Sequence, residues 1–153
     1  MENAGRVMNY MNAKVFIDTN ILVYAFDSSE QEKQAIAQNL INAEGATGEI
    51  VLSTQVLQEF FVIVTRKLKT PLSIDDASKT VQLFSAYPLI QISPKLILKA
   101  IERHRDESFS FWDALIVEAA LESNCKVLLS EDMQDGRRIG KLEIRNPFIK
   151  KLT

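Results

Sequence analysis

The sequence predicts an α/β fold: a single domain built on a mostly parallel sheet of four or five strands with helices on both faces. Three observations lead there. Short apolar runs of strand length alternate with longer segments of helical period. The 153 residues suit one hydrophobic core. Gly and Pro number only five and four, too few for a low-complexity or disordered chain.

The elements follow in order. KVFID (14–18) reads as a buried strand, and the apolar run 21–26, after polar Thr19 and Asn20, suits a helix. A second helix covers 30–43, with Ala35, Ile36, Leu40 and Ile41 on one face, and Gly45 and Gly48 bracket a turn. EIVLS (49–53) is a strand, and Thr54 is placed to cap a long helix running to about Lys69. Pro71 and Ser73 open a helix to about Ala86, LIQIS (89–93) is a short strand, and Pro94 suits the first turn of a helix ending near Glu107. A helix over 110–122, the strand KVLLS (126–130), a polar turn and a last strand LEIRN (142–146) complete the chain. The domain is expected over 13–150, with residues 1–12 an N-terminal extension or expression remnant and Met11 a natural start.

Bulk properties exclude several classes. No apolar run approaches the roughly 20 residues that span a bilayer, and MENAGRVMNYMNAK lacks the apolar stretch of a secretory signal. The lone Cys125, just before the run Val127–Leu129, is expected to be a buried, inert thiol in a protein of the reducing cytoplasm. A net charge of −2 and a pI near 5.5 do not advertise nucleic-acid binding, unless bound cations neutralise part of the acidic load.

The acids that matter stand out by position. Asp18 closes the first strand and Asp132 lies two residues beyond VLLS, at the sheet edge where open parallel folds bind ligands. Glu59 shares a helical face with Val56, Val62 and Ile63, and Asp113 shares one with Phe109, Ile116 and Val117. A carboxylate on an apolar face is costly to bury without a partner, and neither helix offers a cation beside it. A metal ion is the other common partner. Four carboxylates repel one another, and hard Mg²⁺ or Mn²⁺ relieves that repulsion through oxygen ligands. Such an ion activates water for attack on phosphorus, with Asn20 and Ser130 as supporting polar contacts. One Cys and one His are too few for a zinc set, and His104, in ERHRDE, is read as surface. Glu30, Glu32, Asp75, Asp76, Glu102 and Glu122 are read as solvated, and Glu118 as surface or a helix-rim contact. Glu131 and Asp135 are open between a water-mediated metal contact and a capped turn.

At these residues the chain resembles PIN-domain proteins, in particular VapC-type toxin ribonucleases. FIDTNILVYAFD, LQEFFVIVTRK, SFWDALIVEAAL and LLSEDMQDG resemble that family's four acidic blocks in order, and IRNPF resembles the close of one bacterial branch. The resemblance spans about Ala13 to Phe148. It implies that Asp18, Glu59, Asp113 and Asp132 are both catalytic and metal-holding, with Asn20 and Ser130 supporting. It further implies an Mg²⁺- or Mn²⁺-dependent endoribonuclease acting on single-stranded or structured RNA, commonly a homodimer and held inactive by a small antitoxin. Arg137, Arg138 and Lys141, close after Asp132, are candidate RNA contacts, and Arg66, Lys67 and Lys69 are either phosphate contacts or cations favoured at a helix C-terminus. Phe111 and Trp112 are read as core in preference to base stacking.

Other functions meet obstacles. An aspartyl-phosphate phosphatase wants a second Asp at position 20, where Asn20 stands, and a receiver domain wants a late Lys where KVLLS ends in Ser-Glu-Asp. A non-catalytic domain of the same fold, binding RNA or a partner without cutting, is the remaining alternative, although no binding role needs all four acids.

Overall fold

The computed structural model describes residues 13–47 and 49–149. The expected N-terminal extension and the turn at Gly48 lie outside these residues. Six strands form one sheet: β1 (Val15–Ile17), β2 (Ile50–Ser53), β3 (Leu89–Ile90), β4 (Val127–Leu129), β5 (Arg138–Ile139) and β6 (Leu142–Arg145). Their spatial order is β3-β2-β1-β4-β6-β5, and every pairing is parallel except β5 on β6. Strands β1, β2 and β4 are buried at every position, as strands covered on both faces must be, which explains sequences apolar throughout except for Ser53 at the end of β2.

The helices are α1 (Thr19–Tyr24), α2 (Gln31–Thr47), α3 (Thr54–Arg66), α4 (Ile74–Phe84), α5 (Pro94–Asp106) and α6 (Phe111–Glu122). Serine caps four of them: Ser53, Ser73, Ser93 and Ser110 each accept a hydrogen bond from a backbone N–H in the first turn of α3, α4, α5 and α6. Ser53, rather than Thr54, caps α3, because the Thr54 hydroxyl accepts from the Ile92 N–H instead (3.2 Å). The expected strand 89–93 is cut to Leu89–Ile90, and the Ile92 N–H goes to this hydroxyl beyond the end of β2. Rings of Phe26, Phe60 and Phe84 meet edge to face, with centroids 5.2–6.3 Å apart, and lock α3 and α4 to the turn after α1.

Three local readings change. Helix α2 runs on through Gly45 to Thr47, so Gly45 is a helix residue and not a turn; a Cβ there would come within 2.8 Å of the Tyr87 hydroxyl. The polar stretch after β4 contains β5, which turns at Gly140, in a left-handed conformation (φ 58°), and pairs back on β6. Glu118 is buried, because α5 packs over α6 and brings Arg103 to it at 2.7 Å.

Candidate metal and phosphodiester site

The parallel register sets the site. Ile17 pairs with Leu129, and the Asp18 N–H donates to the Leu129 carbonyl, so Asp18 and Ser130 leave the sheet side by side. Asp18 is the N-cap of α1. Its carboxylate accepts from the Thr19 N–H (2.7 Å) and from the Ser130 hydroxyl (2.7 Å), and only 5% of the residue is exposed. Burial pushes its pKa up to about 7 against the pull of those two donors, and the charges of Asp113 and Glu59 push the same way.

The two residues after Asp18 each reach another acid. The Thr19 hydroxyl donates to Glu59 (2.8 Å), and the Asn20 amide donates to Asp132 (2.8 Å) while its carbonyl accepts from the Glu131 N–H. Ser130 also accepts from the Asp132 N–H, so it ties the first and last acidic stretches together. Asp113 sits in the first turn of α6, where its N–H is held by Ser110. Its carboxyl is raised from its ordinary range by partial burial and by the nearby Asp132.

All four acids line one open cleft of about 400 Å³. Among the described residues, no ion pair reaches any of the four. The grouping is looser than the sequence suggests: among the described residues no three Asp, Glu, His or Cys side chains close around a point that would hold an ion. Glu59 and Asp132 are instead drawn to Thr19 and Asn20. The donor set still suits Mg²⁺ or Mn²⁺, since every acidic group on the cleft is an oxygen donor and such an ion takes one or two carboxylates and fills its shell with water. Asp18, buried without a cation, is the observation that calls for positive charge there.

Other expected residues divide. Arg137 lies over the Phe109 ring and pairs with Glu107, and Arg138 pairs with Glu143; with Lys141 they stay off the cleft wall. Asp135 caps the Asn146 N–H, and Glu131 pairs with Lys33 while accepting from the Tyr24 hydroxyl. His104 is exposed, its ring 2.6 Å from the Phe109 carbonyl. Trp112 is not core: it is 60% exposed on the rim of the cleft. Sequence reasoning missed Thr19 and Gln55 as cleft residues; Lys67, left open between a phosphate contact and a helix-end cation, lines the cleft, whereas Arg66 and Lys69 do not. Lys67 was legible, because Glu59, Ile63 and Lys67 fall four apart on one stripe of helix.

Comparison with known proteins agrees with this architecture. The family model of the PIN domain matches residues 15–141. A comparison with curated protein sequences gives no significant match. Among solved structures, a toxin-antitoxin complex from Klebsiella pneumoniae superposes with a TM-score of 0.66 at 18% identity, over 88% of this chain and 98% of the other. VapC20 of Mycobacterium tuberculosis, a sarcin-ricin loop cleaving toxin, gives 0.60 at 16% identity, over 75% and 87%. VapBC2 of Rickettsia felis, bound to a DNA fragment from its promoter, gives 0.59 at 22% identity, over 86% and 97%. At these identities the structures share a fold with this chain, whereas the sequence match covers most of its length: the chain belongs to the PIN domain family.

Proposed function

We propose that this protein is a divalent-metal-dependent endoribonuclease of the VapC kind, the toxin of a type II toxin–antitoxin pair. It hydrolyses RNA phosphodiesters with Mg²⁺ or Mn²⁺, works in the cytoplasm as a homodimer, and is held in check by a cognate antitoxin. The reading is supported by the likeness in fold to VapC20, to the Klebsiella toxin-antitoxin complex and to VapBC2. Among the described residues no helix is long and apolar enough to cross a membrane. The single observation that carries it is the buried Asp18 facing Glu59 and Asp113 across a cleft, with no cation paired to any of them among the described residues.

In this reading Asp18, Glu59, Asp113 and Asp132 would hold the ion between them, one or two directly and the others through its water shell. When bound, the ion supplies Lewis acidity and neutralises charge that builds on the phosphodiester. Ser130 and the Thr19 N–H keep the Asp18 carboxylate oriented, and Asn20 does the same for Asp132. The test is incubation of the pure protein with labelled RNA in Mg²⁺ or Mn²⁺, beside chelator and an Asp18→Asn variant. Cleavage by the parent alone, lost in chelator, is the expected outcome. Equal RNA binding by parent and variant with no cleavage by either would replace the enzyme with a non-catalytic PIN module. A small protein that copurifies and blocks cleavage would identify the antitoxin.

A further inference from the structure

We propose that the cleft takes an unpaired ribonucleotide stacked on the indole of Trp112, with the strand running along α3 to a phosphate contact at Lys67. The inference rests on the nuclease reading and adds what the site recognises: an unstacked base. Trp112 directly precedes Asp113, lines the same cleft and leaves 60% of its surface open. An exposed tryptophan in such a place has apolar surface to cover, and a nucleobase freed from its duplex is a flat partner for it. The residue is anchored at its ring and at its backbone. Phe111 meets it edge to face at 5.1 Å, and the buried amide of Gln55 donates from Nε2 to the Trp112 carbonyl (3.2 Å). The Gln55 Oε1 has no partner among the described residues, so the one bond this buried amide makes there is the bond to the Trp112 backbone.

The rest of the cleft has the layout of a track for a single strand. Thr19, Val23 and Asp27 on and beyond α1 line it together with Glu59, Ile63 and Lys67 on and beyond α3. On α3, Glu59 and Lys67 are separated by two helical turns, about 12 Å of rise. Lys67 is exposed and makes no ion pair among the described residues. Asp27, a further acid of the lining, already accepts from the Ser29 N–H and hydroxyl. An ammonium placed beyond the acids meets a neighbouring phosphate of the same strand. A duplex keeps its bases stacked and its strands paired, so it cannot offer a ring to Trp112.

Trp112 is the chain's single tryptophan, and its fluorescence reports the contact directly. The full chain in Ca²⁺ is titrated with a short unpaired RNA and with the same RNA annealed to its complement, and binding is followed in parallel by anisotropy of a label on the RNA. Quenching that saturates with the unpaired strand is expected, with the duplex at least fivefold weaker. Trp112→Ala should weaken anisotropy-detected binding roughly tenfold, with most of it kept in Trp112→Phe. Lys67→Ala should lower the slope of log affinity against log salt by about 0.7. Binding without quenching, equal affinity for the duplex, or an unchanged Trp112→Ala overturns the proposal, as does quenching only by a copurifying protein. The two readings fail separately. A parent that cleaves in Mg²⁺ with Trp112→Ala unimpaired sinks the stacking alone, whereas saturable quenching without cleavage sinks the nuclease alone.

Discussion

Asp18 bears opposing demands. Two donors favour its charged form, yet burial and the neighbouring Asp113 and Glu59 outweigh them and carry its pKa from 3.8 to about 7. The folded chain therefore holds a proton that the unfolded chain releases. The resulting stability is present below about pH 4 and is lost as pH rises through about 7. In chelator, the Tm of the parent should fall across that window, and Asp18→Asn, which cannot titrate, should be flatter and melt several degrees higher at pH 8. Calorimetry of both proteins across pH checks this, and parallel curves would show that the Asp18 charge is not strained in the absence of metal. Ser130, fully buried between the two strands, is the side chain whose loss would push Asp18 further in the same direction.

Elements depart from local propensity where a neighbour overrules it. Gly45 lies inside α2, where Ala would ordinarily be favoured by about 1 kcal/mol. The Tyr87 hydroxyl stands where the new methyl would go. Gly45→Ala alone should be near neutral in urea unfolding, because the ring must shift, and adding Tyr87→Phe should recover about 1 kcal/mol. The α5–α6 contact is more demanding. Arg103 and Glu118 pair with side chains only 17% and 10% exposed, so Arg103→Met should cost about 3 kcal/mol by stranding a buried carboxylate. Adding Glu118→Leu should restore most of that loss, since the pair contributes little beyond its own satisfaction. A double variant as unstable as the single one would mean that Arg103 acts through Glu107 instead.

Across the whole molecule, a net charge of −2 hides a strongly uneven distribution. Basic residues at 137, 138 and 145 are absorbed by Glu107, Glu143 and Asp135, while among the described residues Asp18, Glu59, Asp113 and Asp132 make no ion pair. A divalent ion that binds only the folded cleft stabilises the protein by mass action, by about 2.7 kcal/mol at a hundredfold excess over its Kd. Thermal melts with increasing Mg²⁺ or Mn²⁺ should therefore rise by several degrees. Asp18→Asn or Asp113→Asn should erase the rise, and an equal rise in these variants would place the ion elsewhere.

The alternation of strand and helix, Ser73 and Pro94 opening α4 and α5, and the apolar strands were legible in sequence because they depend on neighbours a few residues away, whereas the cap of α3 was read as Thr54 and is Ser53. The four acids could be singled out for the same reason: strand ends and helical faces are local features. Tertiary structure alone decided which distant groups meet. It joined Thr19 to Glu59 and Asn20 to Asp132, and it gave Arg137 to Glu107 and Phe109 instead of the cleft. It buried Glu118 and left Trp112 open. Periodicity identifies the face of a helix on which a residue lies but carries no information about what packs against that face. That depends on strand register and helix packing, which bring together residues more than a hundred positions apart.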